Sequence, residues 1–531
     1  MRKKWLAILL STATVMAGLA GCGNSTDGES TAANETGKET QAETTDGGES
    51  ENAAAGKAAD GEIVNVIWQW PAMGATGSGF QAVEDALNEM TEKDIGVHIT
   101  LEPTLFSDLQ NQSTLTITSG EQLDLILQVG TGVIPYVSNG LIQPVDEYID
   151  EYGAAIKEKC GTQLLGGYYQ GKLYGIPNAY IAGESYGYMA RKDVLDKYGI
   201  EIDPNKLYTL DEVEEIFATV KAGEGDKMFM NIPETTSANM LHNAYCEVDT
   251  MGGTPATGVL MLNRDFSALK LYNLFETEEY EAYAQKMYEF SQKGYVSSDA
   301  ATNTEDPNVL LAGGNYLGYF TWTTPNNRAS MEAVTNYELI EINMIPQYGT
   351  GGIAGLTWMV PITSGNPAKA VQALNYIYEN REACKLLQFG IEGQDYEVVE
   401  TSGEDELIRR LSDDPTTLPY YIPYGVYGAR LEWPVVEPAS IEENKIMREW
   451  NASMPDSRKS PAIGYSFDSS EVSTEYSAVS AVMTQYQATI NCGALDPAEV
   501  LPEFQEALRG AGIDKLIEEN QKQMDAWAAE K

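Results

Sequence analysis

The sequence predicts an α/β protein with more than one lobe, and two observations support this prediction. Short runs rich in β-branched and aromatic residues alternate along the chain with amphipathic stretches at helical spacing, which is typical of sheets covered by helices. About 470 residues, from Glu62 to Lys531, follow a polar N-terminal region, and 43% of the whole chain is hydrophobic. A chain of this length and composition can bury a large core and favours more than one lobe.

The first elements are predicted in the order strand, helix, strand, strand. Val64–Trp70 is predicted as the first strand, Phe80–Met90 as the helix after it, and Val97–Leu101 and Asp124–Gln128 as further strands. Later helix starts carry capping residues or a proline at the first helical position. These starts are Thr209 with Glu212, Asn366 before Pro367, and Asp496 before Pro497 and Glu499.

Residues 1–22 predict export and a lipid anchor. The basic residues Arg2–Lys4 precede an apolar run from Trp5 to about Leu19, which is too short for a membrane-spanning helix and is typical of a secretion signal. The run ends in the sequence LAGC, which resembles a bacterial lipobox with Cys22 as the acylated new N-terminus. The alternative is an ordinary secretory signal that contains a cysteine by coincidence.

Residues 23–61 are predicted to form a disordered acidic tether. They contain no aromatic or branched aliphatic residue, so they cannot bury enough apolar surface to offset the entropy that ordering would cost. Acidic residues outnumber basic ones along this stretch, which keeps it extended and repels it from anionic lipid. The tether therefore holds the folded body close to the bilayer but off its surface.

Charge and cysteine content exclude several classes of partner. A formal net charge of −45 and a pI near 4.2 exclude nucleic acid as a partner, because its phosphates need clustered Lys and Arg, and also exclude direct adsorption to anionic membranes.

The cysteines of the body are Cys160, Cys246, Cys384 and Cys492, and none has the spacing of metal ligands. Two disulfides and four buried thiols both fit an exported protein, and no metal or cofactor is predicted.

The sequence offers little support for catalysis. His98 and His242 are the only histidines, and neither lies near a nucleophile-elbow sequence. No Walker loop, dinucleotide fingerprint or calcium loop occurs in the sequence. Paired carboxylates remain an alternative because glycosidases need only two, but 79 acidic residues make any chosen pair weak evidence. No catalytic residue is predicted.

Aromatic residues at predicted strand ends and in loops are the main candidates for a binding site. An indole or phenol ring packs on the flat C–H face of a pyranose, and polar side chains replace the water that the sugar hydroxyls lose. In open α/β sheets, ligands bind outside the carboxyl ends of the strands, where these loops are expected. The candidates are Trp68, Trp70, Trp322 with the nearby Asn326, Trp358 and Tyr424. For each aromatic residue, the alternative is a place in the hydrophobic core.

Several motifs resemble a known family. Gly171–Pro177 has the sequence GKLYGIP, and Tyr188–Ile200 has the sequence YMARKDVLDKYGI. Together they resemble the signature of family 1 extracellular solute-binding proteins, the receptors of ABC importers. Further runs resemble the LipO-type lipoproteins of Gram-positive bacteria: Asn139–Asp146, Gly390–Tyr396, Gly464–Asp468, Gly512–Asp514 and Gln523–Trp527. The resemblance covers nearly the whole body and departs from the family pattern at Tyr427–Arg430, where a Gly-Asn pair is expected.

The resemblance implies a two-lobed, periplasmic-binding-protein-like fold with solute held in an interlobe cleft. The lobes it implies are residues 62–180 with 363–425, and residues 181–362 with 426–531. Hinge crossings are expected near Pro177–Tyr188, Leu356–Ile362 and Pro419–Trp433. Glu184 and Arg430, in the first and third crossings, are the expected polar partners of the ligand, although each also fits a solvated surface charge.

The function implied by the resemblance is that of a lipid-anchored receptor on the extracellular face of the cytoplasmic membrane. We expect a monomer that captures a small-molecule ligand, an oligosaccharide by the aromatic argument, and delivers it to the permease subunits of an ABC importer. One alternative is the same kind of receptor for a peptide or another polar solute. The other is a surface glycan-processing enzyme that uses two carboxylates.

Overall fold

The computed structural model describes residues 62–72, 77–129, 132–180, 183–233, 248–249, 259–262, 269–349, 356–412, 417–422 and 427–529. Its strands are β1 (Val64–Ala72), β2 (Val97–Leu105), β3 (Ile126–Val129), β4 (Tyr168–Tyr169), β5 (Lys172–Leu173), β6 (Gly175–Pro177), β7 (Glu184–Arg191), β8 (Val248–Asp249), β9 (Val259–Leu262), β10 (Tyr272–Asn273), β11 (Gly318–Trp322), β12 (Leu339–Tyr348), β13 (Leu356–Met359), β14 (Tyr396–Ser402), β15 (Asp405–Arg410) and β16 (Val435–Val436).

The helices alternate with these strands along much of the chain. They are α1 (Phe80–Ile95), α2 (Leu109–Ser119), α3 (Ile134–Ser138), α4 (Asp146–Tyr152), α5 (Ala154–Cys160), α6 (Lys192–Lys197), α7 (Leu210–Glu224), α8 (Glu278–Gln292), α9 (Pro307–Ala312), α10 (Pro325–Thr335), α11 (Pro367–Glu379), α12 (Arg381–Phe389), α13 (Glu443–Ser453), α14 (Ser473–Asn491), α15 (Pro497–Ala511) and α16 (Ile513–Ala529). Within the described ranges, no helix is both long enough and apolar enough to span a membrane.

The N-terminal strands form one layer. β1 and β2 pair in parallel. β13 lies between β3 and β6 and pairs with both in antiparallel orientation. A bridge between Trp68 and Leu125 joins β1 to the start of β3. Side chains of α1 cover the outer edge of β2. Asn88 accepts a hydrogen bond from the Ile99 amide at 2.6 Å, and Glu84 accepts one from the Leu101 amide at 2.7 Å. These contacts occupy backbone groups that would otherwise be open to pairing with another chain.

A second sheet has β7 at its centre. β11 and β12 each pair with β7 in antiparallel orientation. All residues of β7 after Glu184 are buried, because other elements cover both faces of this central strand. Two register shifts within β12 end with Tyr348 opposite Glu184. The sheet therefore brings the first residue of β7 next to the last residue of β12.

The buried apolar side chains fall into two large clusters. The first core contains side chains of β1, β2, α1, α11 and α12, among them Val66, Trp68, Leu101, Leu374 and Tyr427. The second core contains side chains of β7, α7, α8 and the three C-terminal helices, among them Tyr188, Phe217, Phe290, Phe504 and Leu516.

Three chain segments lie side by side, and Ala179 and Ala429 from two of them are buried in the first core. The Asn178 amide donates to the Leu356 carbonyl at 3.3 Å, Ala179 forms a parallel bridge with Ala429, and the Arg430 amide donates to the Ala179 carbonyl at 2.9 Å. These segments belong to the three crossings that the sequence predicts, so the structure places all three together.

The finer lobe boundaries remain a prediction. The boundaries 181–362 and 426–531 assign Trp358 and Tyr427 to the second lobe, whereas both side chains pack in the first core. Trp358 and Tyr427 lie within the second and third expected crossings, so the chain has joined the first core before residue 362 and leaves it only after residue 426.

Candidate functional site

The ends of β7, β11 and β12 bring an exposed indole and a carboxylate together. Glu184 lies opposite Tyr348, and Tyr186 lies opposite Trp322. The Tyr186 hydroxyl donates to Glu184 Oε2 at 2.6 Å and also interacts with the Trp322 and Tyr348 side chains. Both tyrosines are buried, Glu184 is partly exposed, and Trp322 is 40% exposed. We refer to Glu184, Tyr186, Trp322 and Tyr348 as the strand-end cluster.

Burial controls the ionisation of this cluster. It raises the pKa of the Glu184 carboxyl above its ordinary value, and the nearby Asp249 carboxyl on β8 adds to the shift, while hydrogen bonds from Tyr186 and Tyr348 oppose it. Burial also raises the pKa of both tyrosines well above 10, so their hydroxyls stay protonated and can donate. The Tyr186 hydroxyl therefore orients the Glu184 carboxylate as an acceptor at the edge of the sheet, while the Tyr348 hydroxyl donates to the Val248 carbonyl at 3.3 Å.

A second polar group lies at the same end of β7 and β11, and Tyr180 is its centre. The Arg430 guanidinium lies 3.8 Å from the centroid of the Tyr180 ring, a cation–π contact, and Asn326 Nδ2 donates to the Tyr180 hydroxyl at 2.9 Å. Asn451 Nδ2 donates to the Tyr180 carbonyl at 2.8 Å. Burial raises the pKa of Glu443, and the neighbouring Arg430 lowers it in turn. The structure thus joins two predicted site residues, Asn326 and Arg430, through a residue that the sequence did not single out.

Three of the predicted indoles do not reach the surface. Trp68 and Trp358 are completely buried, with ring centroids 5.3 Å apart, and Trp70 is 3% exposed. Trp70 Nε1 donates to the Tyr420 hydroxyl at 2.9 Å, which satisfies its polar atom within the protein. The expectation that these three rings project into the interlobe space is therefore corrected.

The reason is the alternation of side chains along a strand. Trp68 and Trp70 are two residues apart on β1 and so share the face that packs in the first core, while Trp358 lies on β13 between two neighbouring strands. A strand-end position does not reveal which face an aromatic side chain occupies.

The remaining predicted residues divide into two groups. Tyr424, Cys22, Cys246 and residues 1–61 lie outside the described residues. Cys160, Cys384 and Cys492 are buried and form no disulfide, so lone buried thiols are the correct alternative for these three. Across the described ranges, no group of three or more His, Cys, Asp or Glu side chains is arranged to hold a metal ion.

Sequence reasoning missed Tyr180, Tyr186, Tyr348 and Asp249. Tyr186 lies two residues after Glu184 within the expected first crossing, and side chains two residues apart in an extended segment lie on one face, which was a usable signal. Tyr348 and Asp249 are distant in sequence from Glu184, and only strand pairing brings them near it.

A separate groove of about 480 Å³ lies along α2 and the ends of β1 and β2. Its lining includes Gln69, Glu102, Asp108 and Gln112. It contains none of the predicted site residues, so it is distinct from the strand-end cluster.

Comparison with known proteins supports a solute-binding fold. A family model described as bacterial extracellular solute-binding protein matches residues 70–383, and one described as a domain of unknown function matches residues 461–529. A carbohydrate ABC transporter substrate-binding protein of Streptococcus pneumoniae is 21% identical over 456 residues, which cover 84% of this chain and 87% of that protein.

Solved structures show the same fold. The N-glycan transport solute binding protein NgtS of Streptococcus pneumoniae matches with a TM-score of 0.70 at 19% identity, covering 88% of this chain and 99% of the other. Its complexes with Man1GlcNAc and Man5GlcNAc match with TM-scores of 0.61 and 0.58 at the same coverage. An alginate-binding protein, AlgQ2, matches with a TM-score of 0.54 at 13% identity, covering 87% and 98% of the two chains. The two-lobed α/β fold that the sequence predicts is confirmed.

Proposed function

We propose a receptor function for this chain because it belongs to the family of bacterial extracellular solute-binding proteins. In this proposal the chain captures an oligosaccharide outside the cytoplasm and delivers it to an ABC importer. The similar protein of Streptococcus pneumoniae is named as a carbohydrate receptor of an ABC transporter, and NgtS is described in complex with glycans. These descriptions support the carbohydrate class of the ligand.

The observation that carries the carbohydrate assignment is the Trp322 indole in the strand-end cluster. A large aromatic ring that is 40% exposed beside a half-buried carboxylate offers a stacking face and a hydrogen-bond acceptor in one place. A pyranose presents the complementary features, a flat C–H face and hydroxyl donors. In this proposal Trp322 stacks on the sugar and Glu184 accepts from its hydroxyls, with Asn326 and Arg430 as further polar contacts.

Capture is proposed to involve closure of the lobes about the three adjacent crossings. The chain resembles the NgtS structure that is described without a glycan more closely than either glycan complex, at equal coverage. This difference supports a change of lobe arrangement on binding, since only a closed form lets both lobes contact one ligand. Micromolar affinity requires about −8.2 kcal/mol, which stacking and a few charge-assisted hydrogen bonds can supply.

The proposed cellular location is inferred from the sequence. Residues 1–22 and the acidic stretch 23–61 support a chain that is exported, acylated at Cys22 and tethered to the outer face of the membrane. More than one acyl chain is needed for stable attachment, since a single chain binds a bilayer only marginally. The permease partner in this proposal recognises the closed, loaded receptor.

Thermal shift and calorimetry on a panel of oligosaccharides and peptides test the proposal. A ligand at one hundred times its dissociation constant stabilises the fold by about 2.7 kcal/mol, so a true ligand raises the melting temperature measurably. Trp322→Ala should lower sugar affinity by about 2 kcal/mol or more. The matched control is Trp527→Ala, since Trp527 is a partly buried indole on α16 that packs against the second core, and its loss should leave affinity unchanged. Binding of peptides but no saccharide, or cleavage of a saccharide, would contradict the proposal.

A further inference from the structure

We infer that the strand-end cluster selects uncharged saccharides and rejects those that carry carboxylates, with Glu184 as the residue that sets this preference. The inference rests on the proposed carbohydrate function and specifies the ligand of that same site. The fold leaves this question open, because similar structures include a protein in complex with Man5GlcNAc and a protein that binds alginate, a polymer of uronic acids.

The groups around the Glu184 carboxylate are neutral hydroxyls. It accepts a hydrogen bond from Tyr186 at 2.6 Å, and the nearby Tyr348 hydroxyl donates to the Val248 carbonyl at 3.3 Å. Among the residues that the structure describes, no Lys or Arg nitrogen lies within 4.0 Å of this carboxylate, although salt bridges are frequent elsewhere in the chain. In its ionised form, this partly buried carboxylate places a negative charge at the edge of the sheet without a cation beside it.

Other charged groups lie near the cluster. Asp249 on β8 is completely buried and close enough to add to the pKa shift of Glu184. Arg458 lies 5.9 Å from the centroid of the Tyr348 ring, and its guanidinium donates to the carbonyls of Gln347 and Pro346. These contacts hold the Arg458 guanidinium against backbone carbonyls of β12.

Arg430, the cation of the group around Tyr180, is also engaged. Arg430 lies over the Tyr180 ring, and Glu443 stands close enough for Arg430 to lower its pKa. A carboxylate on an incoming ligand would therefore lie near the Glu184 charge, whereas Arg458 and Arg430 already contact other groups of the protein. The hydroxyls of a neutral sugar, by contrast, donate directly to the Glu184 carboxylate and replace its lost water.

The size of the expected discrimination follows from Coulomb's law. Two like charges about 5 Å apart at an effective dielectric constant near 20 repel strongly enough to reduce binding by about a hundredfold, and partial exposure with salt screening reduces this factor. We therefore expect at least about a tenfold preference for the uncharged form of a saccharide.

Matched pairs of probes test this inference with the full mature chain. The neutral probes are Man5GlcNAc, kestose and β-1,4-mannotetraose, and each is compared with the counterpart whose C6 alcohols are oxidised to carboxylates. Titration calorimetry at physiological salt should show at least about tenfold tighter binding of the neutral member. Glu184→Gln preserves the size of the side chain and removes its charge, so it should reduce this ratio to about threefold or less.

Glu84→Gln is the matched control. Glu84 on α1 is another partly buried carboxylate that accepts from neutral donors, the Leu101 amide and the Gln81 side chain, but it lies at the outer edge of β2 in the other sheet. This variant should keep the wild-type ratio, and thermal melts confirm that both variants fold.

The outcomes distinguish failure of the charge preference from failure of the proposed carbohydrate function. Equal or tighter binding of the oxidised probes, or a ratio that Glu184→Gln leaves unchanged, overturns the charge preference while the carbohydrate function stands. Absence of binding by all six probes to the wild-type chain overturns the proposed carbohydrate function and the preference with it.

Discussion

Trp358 and Tyr427 stack in the first core with ring centroids 5.4 Å apart and ring planes 18° from parallel. Both side chains are completely buried, and they lie in the second and third expected crossings. Trp68 packs edge-on against both rings, with centroids 5.3 Å and 5.8 Å away. This aromatic group ties the second and third crossings to β1, so its role in this structure is to hold the crossings in place.

Trp358→Ala should therefore destabilise the fold. Truncation of a buried tryptophan removes its transfer free energy and leaves a cavity, and we expect a loss of about 3 to 5 kcal/mol in the free energy of unfolding. Urea denaturation measures this quantity. Trp322→Ala is the matched comparison, because the exposed indole should cost about 1 kcal/mol or less. Equal losses in the two variants would contradict the assignment of Trp358 to the core.

Tyr186→Phe should weaken sugar binding without changing a residue that we place against the sugar. The variant removes the donor that orients the Glu184 carboxylate, and a hydrogen bond to a charged group contributes about 1.5 to 3 kcal/mol. We expect lower affinity and a modest loss of stability. Affinity is measured by calorimetry and stability by thermal melts.

Tyr465→Phe is the control for Tyr186→Phe. Tyr465 is buried in the second core, and its hydroxyl donates to the Asn520 carbonyl at 2.9 Å, far along the chain from the strand ends. It should lose comparable stability and keep the wild-type affinity. Loss of affinity in both variants would mean that general destabilisation explains the effect of Tyr186→Phe.

The local elements of the fold could be predicted from the sequence because their signals are local. β1 and α1 begin where predicted, at Val64 and Phe80, and the capping box of Thr209 and Glu212 forms at the start of α7. The predicted ends were less accurate. α1 continues to Ile95, and Gly96 with φ of 65° then ends it, since a left-handed conformation suits glycine.

Long-range contacts explain what the sequence could not predict. Asp124 was assigned to a strand, but β3 begins at Ile126, and the Asp124 carboxylate is completely buried. It accepts hydrogen bonds from the Ile67 amide at 2.8 Å and from the Ser364 hydroxyl at 2.6 Å. A residue that joins segments so far apart in sequence carries no local signal of that role.

The candidate site shows the same limit. The expected crossings pointed to Glu184 and Arg430, whereas residue type and strand-end position pointed to Trp322 and Asn326. They did not distinguish Trp322 from the buried Trp358, because that distinction depends on which neighbouring strands cover each face. Tyr180 joins Asn326 to Arg430 only through the adjacency of the crossings.

The described cysteines should be chemically inert in the native protein. Burial raises the pKa of Cys160, Cys384 and Cys492 to about 12, so almost no thiolate exists at pH 8. Iodoacetamide should leave these three residues unmodified in the native chain and label them in denaturant, as measured by peptide mass spectrometry. Disulfide-linked peptides that contain any of the three would contradict this expectation.

Cys22→Ala tests the lipid anchor that the sequence predicts. Without the acylated thiol, the chain should appear in the medium or accumulate as an uncleaved precursor, because acylation at Cys22 is the stable membrane attachment that the sequence predicts. Fractionation with immunoblotting measures its location, and Cys160→Ala is the control that should remain in the membrane fraction. Retention of processed Cys22→Ala in a detergent-dependent membrane fraction would exclude the lipoprotein interpretation.

Glu184 should make the stability of the fold depend on pH in a defined direction. Burial raises the pKa of its carboxyl above the ordinary value of 4.5, so the folded chain holds this proton at pH values where the unfolded chain has released it. Stability is therefore lost as the pH rises from about 4.5 through the raised pKa of the folded state. Glu184→Gln carries no titrating group at this site, so its melting temperature relative to wild type should rise with pH across this window.

Glu212→Gln provides a control of opposite sign. A hydrogen bond from Lys206, together with the Thr209 backbone amide, lowers the pKa of the Glu212 carboxyl. Its stabilisation is present above the ordinary pKa of 4.5 and is lost as the pH falls through the lower value in the folded chain. The melting temperature of Glu212→Gln relative to wild type should therefore fall as the pH rises through this window, opposite to Glu184→Gln. If the two variants follow the same trend in thermal melts between pH 3 and pH 8, the buried environment inferred for Glu184 is wrong.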